Sequence, residues 1–249
     1  MVSYENRMRT HTRVSTRKAG GRKHMTNSSR EKESQMEDHH PQCVKCTVLR
    51  CRSREKDKKV PVFCPTEKYR GLVKETVEKS MLPENQAINK GWIGYMSKVM
   101  DPEKPRERLA WTRVDEIMEY ASIRGMTRLG IATCGELLPE SKLLSDILES
   151  NGFDVVSVTC LCGEMDPQEI GMPGNKICNP IMQAEVLNRE KTELNMMVGL
   201  CLGHDILFLR HCEAETTPLV VKDRALGHNP VAALYLSQNP LYRDRFIRK

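Results

Sequence analysis

The chain predicts an α/β fold: a Rossmann-like or flavodoxin-like, mostly parallel four-stranded sheet, preceded by a four-cysteine knuckle and a helical segment. Three observations lead there. From residue 127 onward, short apolar runs at 128–133, 154–159, 194–200 and 218–221 alternate with stretches of helical spacing. Runs so short and so apolar suit strands covered on both faces, as parallel sheets require. Ahead of them, residues 65–124 place apolar side chains at helical intervals, and residues 43–64 hold four cysteines in a segment too charged to bury them.

These shifts divide the 249 residues into 1–37, 38–66, 67–125 and 126–249. The first stretch is basic and lacks apolar periodicity, so burial cannot offset its ordering entropy and it reads as disordered. Three roles compete for it: a basic nucleic-acid arm, an organellar presequence, and an upstream extension of the frame with Met36 as the working start; the last is preferred. Next, Pro65-Thr66-Glu67 starts a helix over 65–81. Pro83-Glu84 starts another, with Ile88, Trp92, Tyr95, Met96 and Val99 on one side. A third, over 105–123, carries Leu109, Val114, Ile117, Met118 and Ala121. Trp92 and Trp111 read as core anchors of this layer.

In the α/β region the strand 128–133 ends at Cys134, and a helix over 139–150 follows with Leu143, Leu144, Ile147 and Leu148 on its buried face. The strand 154–159 ends at Cys160. A loop of about 17 residues then reaches Asn179-Pro180, a helix cap followed by Pro at the first helical position. The strand 194–200 ends at Cys201, and the strand 218–221 ends at Lys222-Asp223.

Composition bounds the function. Hydrophobic residues make up 39% and aromatics 5%, so the core must rest on Leu, Ile, Val and Met. No apolar run is long enough to span a bilayer, and the N-terminus lacks the apolar stretch of a secretory signal. A cytoplasmic protein with no membrane partner is expected. In that setting ten cysteines read as metal or redox ligands rather than a disulfide framework. Residues 1–42 hold nine Lys/Arg against five Asp/Glu, and 43–64 hold seven against two, which leaves 65–249 at −3. An acidic main domain disfavours nucleic acid as its partner.

Cys43-x2-Cys46-x4-Cys51-x12-Cys64 offers four thiols within 22 residues. A Cys-x2-Cys turn presents two sulfurs to one ion, and two further cysteines complete a tetrahedral shell. Four thiolates around Zn²⁺ carry a net charge of about −2, which Lys45, Arg50, Arg52, Arg54, Lys56, Lys58 and Lys59 would offset. Zinc is expected, with an iron–sulfur cluster as the other ion set that accepts four cysteines.

A second set, Cys134, Cys160, Cys162, Cys178 and Cys201, falls at strand ends or in the loop after one. Ligands bind α/β sheets at that edge. Free cysteine also packs as a small hydrophobe, which is the competing reading for each member. Leu202-Gly203-His204-Asp205 and Leu226-Gly227-His228-Asn229 repeat one string after the third and fourth strands. In each, Gly would permit a tight turn and Asp or Asn would cap the next helix, holding His204 and His228 beside helix N-termini as neutral ligands or proton donors. His204, His228, Asp205 and Asp223 are therefore the candidate catalytic groups, and Lys222 and Arg224 the candidates for holding an anionic ligand. Cys212 reads as packed. Neither a Gly-x-Gly-x-x-Gly turn, a P-loop nor a Gly-x-Ser-x-Gly elbow is present, which disfavours ordinary dinucleotide binding, NTP hydrolysis and serine hydrolysis.

Five strings, Cys43–Cys51, Cys160-Leu-Cys162-Gly, Lys176–Glu185, Gly199–Asp205 and Val221–Pro230, together resemble domain-of-unknown-function family 1847, whose prokaryotic members carry a metal-binding label. The similarity runs over about 40–245. It implies a cysteine-ligated metal at the matched cysteines and supplies no reaction; that residues 1–35 lie outside it fits Met36 as the start. The expected protein thus has zinc at Cys43, Cys46, Cys51 and Cys64. It has a second zinc or iron–sulfur redox site at Cys134, Cys160, Cys162, Cys178 and Cys201, open to a small-molecule or metallocofactor ligand. The alternative is a non-catalytic zinc knuckle that binds protein or nucleic acid, with the strand-end thiols merely packed.

Overall fold

The computed structural model describes residues 39–53, 55, 57–99 and 111–247. The expectations for 1–37, for Arg54 and Lys56, and for a helix start at Pro105 with Leu109 fall outside those residues. The chain divides into two compact bodies between Met81 and Leu82.

In the first body a 3-10 turn, Cys43–Lys45, leads to the short helix α1, Arg50–Ser53. The helix expected over 65–81 is two helices, α2 (Pro65–Lys68) and α3 (Arg70–Ser80), broken at Tyr69, whose ψ of 36° leaves the helical region. Glu67, in α2, pairs with both Arg50 and Arg70 across that break. No described residue of this body is buried.

The second body starts with α4 (Pro83–Val99) and α5 (Arg113–Arg124), which opens on a capping box between Thr112 and Asp115. The two helices meet through Gly91 and Gly94 of α4. A Cβ on Gly91 would stand 2.6 Å from the Tyr120 ring, and one on Gly94 would stand 2.8 Å from Ile123. Because the glycines form the contact face, the neighbouring Trp92 is rotated off it and is 51% exposed. Trp92 is thus no core anchor, and Trp111 is only half-buried.

Strands β1 (Arg128–Thr133) and β2 (Asp154–Thr159) match expectation. Between them lie a 3-10 turn, Gly135–Leu137, and α6 (Leu138–Ser150). The turn sets the phase of α6, so Leu137, Ser141, Leu144 and Leu148 face inward while Leu143 and Ile147 are exposed, contrary to expectation. The long loop after β2 contains a 3-10 turn, Pro167–Ile170, before α7 (Pro180–Arg189), whose cap is Asn179 as expected. Strand β3 (Leu194–Val198) stops two residues early, because Gly199 turns the chain at φ 64°. After α8 (Leu202–His211), β4 (Glu215–Val220) begins three residues earlier than expected, with Pro218 inside it. Pro is tolerated there because β4 is an edge strand. Helices α9 (Val231–Leu236) and α10 (Pro240–Phe246) follow.

All three strand pairings are parallel, in the order β2-β1-β3-β4. The four-stranded α/β fold is therefore as the sequence predicts. Residues of α5 and α6 pack on one face of the sheet with Leu129, Ile131, Met196 and Val198. On the other, Ala184 and Leu187 of α7 and Phe208 of α8 pack with Ala132, Val158 and Met197. From β1 the chain steps outward to β2 and then returns past β1 to β3. The topological switch point thus lies between the carboxyl ends of β1 and β3.

Candidate functional site

The register brings the strand ends level: Thr133 pairs with Thr159 on one side and with Val198 on the other. Cys134 and Cys160 are consequently neighbours at the carboxyl edge. Cys201 stands three residues beyond Val198, after the Gly199 turn. Cys178 is far along the chain from β2 but returns to it, because the next residue, Asn179, donates its N–H to the Cys160 carbonyl at 2.7 Å. Four segments of the chain thus deliver one thiol each to the edge.

Each sulfur has its own surroundings. Cys134 Sγ accepts from Lys222 Nζ at 2.7 Å and from the Glu136 N–H at 3.5 Å. Cys160 Sγ accepts from the Gly135 N–H at 3.4 Å. Arg224 reaches Cys201 Sγ at 3.8 Å. Cys178 is pushed up to about 12, first by burial, then by its hydrogen bond with Cys160 and by the charges of Cys160, Cys134 and Cys201. That dependence puts four thiols in one electrostatic neighbourhood. Cys162 is not among the charges acting on Cys178; like Cys134, Cys160 and Cys178 it packs with the apolar cluster beneath α7 and α8. Cys212 packs as expected, taking Asn195 Nδ2 at 3.0 Å.

Lys222 and Arg224 lie above these thiols and share a partner that sequence reasoning passed over, Glu136. Lys222 Nζ meets Glu136 Oε2 at 2.7 Å, and Arg224 Nε meets the same oxygen at 3.1 Å. These two cations, Lys222 foremost, hold the Glu136 carboxyl down to about 2. A second overlooked residue is Gln183, fully buried on α7. Its Nε2 donates to the carbonyls of Thr133 at 3.0 Å and Val158 at 2.7 Å. It therefore ties the helix that follows Cys178 to the two strands that precede Cys134 and Cys160. A glutamine at a core-facing helical position was its only sequence signal.

The two Leu-Gly-His strings are not equivalent. The first forms the opening turn of α8, capped by the Cys201 backbone, and Asp205 lies inside the helix instead of capping it. His204 is lowered by burial and then by the charge of Lys222, which places it beside the cation above the thiols. Asp205 is raised by burial. The second string is a turn with φ 58° at Gly227 and 62° at His228, and Asn229 caps nothing, since the N-cap of α9 is Pro230. His228 Nδ1 accepts the Asp223 N–H at 3.1 Å, while Asp223 Oδ1 accepts from Ala225 and Leu226. Asp223 and His228 thus close one loop upon each other.

In the first body Cys43, Cys46, Cys51 and Cys64 all line one cavity of about 80 Å³, together with Val60 and Phe63. The Cys46 N–H donates to the Cys43 carbonyl at 3.0 Å, the tight turn expected of a Cys-x2-Cys pair. Among the described residues of either body, no three His, Cys, Asp or Glu side chains stand in ligating geometry. In number and softness both four-sulfur sets nevertheless match the donors of zinc and iron–sulfur centres.

Among curated proteins, an uncharacterized protein of Methanocaldococcus jannaschii is 46% identical over 131 residues, which cover 50% of this chain and 67% of that protein. No solved structure matches significantly. Residues 64–219 match the family described as protein of unknown function, DUF1847, a narrower span than the 40–245 read from the motifs. Cys64 and all four edge thiols fall within that span; Cys43, Cys46, Cys51, Lys222, Arg224 and His228 fall outside it. The chain belongs to domain-of-unknown-function family 1847.

Proposed function

We propose that the protein is a thiolate metal protein with two centres. The one that carries chemistry would be held by Cys134, Cys160, Cys178 and Cys201. The observation that carries this reading is the convergence of four thiols, from four separate segments, on the switch-point edge of a parallel sheet. A purely packed set would not need a buried lysine aimed at one of its sulfurs; the Lys222 side chain is 4% exposed and points its ammonium at Cys134. Bound at this edge, an iron–sulfur cluster would supply one-electron transfer, whereas zinc would supply a Lewis acid only with one of the four sulfurs off the metal, since a four-thiolate zinc is closed. The chain's own contribution would be to fix the sulfurs through Gln183 and to offset their charge with Lys222 and Arg224. His204, held towards its neutral form, would be the nearby proton-accepting group.

The amino-terminal set Cys43, Cys46, Cys51 and Cys64 would be structural zinc. Support comes from the lack of any buried residue among those described in that body. A unit so small without a core needs a metal or a cross-link to hold its fold. Anaerobic purification with metal analysis and a visible spectrum tests both assignments. Two metal centres per chain are expected, with a thiolate-to-metal absorption band if the edge holds iron. One colourless zinc per chain would overturn the edge assignment and leave a zinc-knuckle module.

A further inference from the structure

The ion-pair network above the thiols is built unevenly. Lys222 is enclosed, its side chain 4% exposed, whereas that of its partner Glu136 is 57% exposed. Glu136 stands on a 3-10 turn, and its carboxylate presents both oxygens to the cations: Oε2 to Lys222 Nζ and Arg224 Nε, and Oε1 to Arg224 Nη2 at 3.3 Å. The guanidinium therefore offers its side-on fork to a two-oxygen anionic head, the geometry in which arginine recognises carboxylate and phosphate groups.

We propose that Lys222 and Arg224 form a seat for a small oxyanion, a carboxylate or phosphate group, and that Glu136 is an internal stand-in which such a ligand displaces. The inference rests on the reading of the thiol edge as the functional site. Three features support it. The first is place: the seat lies at the carboxyl edge of the sheet, with its two cations against Cys134 and Cys201, which follow the strands flanking the switch point. The second is asymmetry: the enclosed cation is fixed, while the anion that covers it comes from an exposed side chain able to swing into solvent. The third is charge. A buried ammonium left without a counter-ion is costly, so Glu136 covers the seat most of the time until another anion takes its place. The device would make anion binding competitive with a side chain of the same chain and confine it to ligands that outbid one carboxylate.

Phosphate and acetate binding to the reduced, metal-free full chain tests this, read by calorimetry on wild type, Glu136→Gln and Lys222→Met. Removing a stand-in that occupies the seat nine-tenths of the time tightens apparent affinity about tenfold. Glu136→Gln should therefore bind phosphate or acetate about that much more tightly than wild type, and Lys222→Met should lose the binding. The better-bound probe identifies the head group. Equal affinity of Glu136→Gln and wild type, in a variant that melts as wild type does, would overturn the seat. Should Glu136→Gln fold poorly, Glu136→Asp replaces it; its shorter carboxylate cannot span both cations, so it too should bind more tightly than wild type, and no gain there overturns the seat. Since the binding is read without metal, a purified chain that holds none would contradict the metal reading and leave this result intact.

Discussion

Cys178 shows most directly how the site acts on a single residue. Its thiol is pushed up to about 12 from an ordinary value of 9.0, with burial the largest cause and the neighbouring sulfurs next. Between those two values the native chain holds a proton that the unfolded chain has lost, so this group's contribution, intact below 9, is lost as pH rises towards 12. Cys178→Ser in the metal-free chain should flatten the alkaline fall of urea-measured stability across that window; an unchanged slope would mean that the native fold does not hold this thiol's proton. Cys134, Cys160 and Cys201 were legible from the sequence because each ends an apolar run, and Cys178 because it closes the long loop after the second run. Glu136 was not. A glutamate after a strand looks solvated, and its partners Lys222 and Arg224 lie 86 and 88 residues away, joined only by the fold. The repeated Leu-Gly-His string misled for a related reason: identical residues became a helix turn at 202–205 and a left-handed turn at 227–228, because a cysteine N-cap precedes one and an Asp223 turn precedes the other.

At the scale of elements, Gln183 carries the most structural consequence for the site. Its amide satisfies two buried carbonyls, on β1 and β2, just before the cysteines those strands deliver. Gln183→Ala should destabilise the fold by about 1–3 kcal/mol, the cost of one lost buried partner, because the Thr133 carbonyl keeps the Cys160 N–H at 2.8 Å and the change also removes the unpartnered Gln183 Oε1; no loss in denaturant unfolding would show that water replaces the amide at no penalty. Strands β1 and β2 were readable to the residue because their apolar runs are bounded by polar turns. Strand β3 overran by two because Gly199 and Leu200 continue its apolar composition while the backbone has already turned. The phase of α6 was misread because the 3-10 turn before it, which fixes Leu137 inward, leaves no periodic mark. Trp92 was misplaced because two small residues, Gly91 and Gly94, form the contact face of α4.

At the scale of the whole molecule, the two bodies differ in what holds them. The second has apolar clusters on both faces of its sheet, while the first has no buried residue among those described. Chelation of the purified chain should therefore lose the helical signal of the first body and leave a cooperative thermal transition from the second. A single transition unaffected by chelator would show that the first body does not depend on metal. The central claim, that Cys134, Cys160, Cys178 and Cys201 act as one site separate from the amino-terminal knuckle, is tested most directly by metal content in Cys160→Ser/Cys201→Ser. The account predicts that this variant loses the edge metal, with its colour if that metal is iron, while keeping zinc at Cys43, Cys46, Cys51 and Cys64. Metal content equal to wild type, or loss of both metals together from a folded protein, would contradict it.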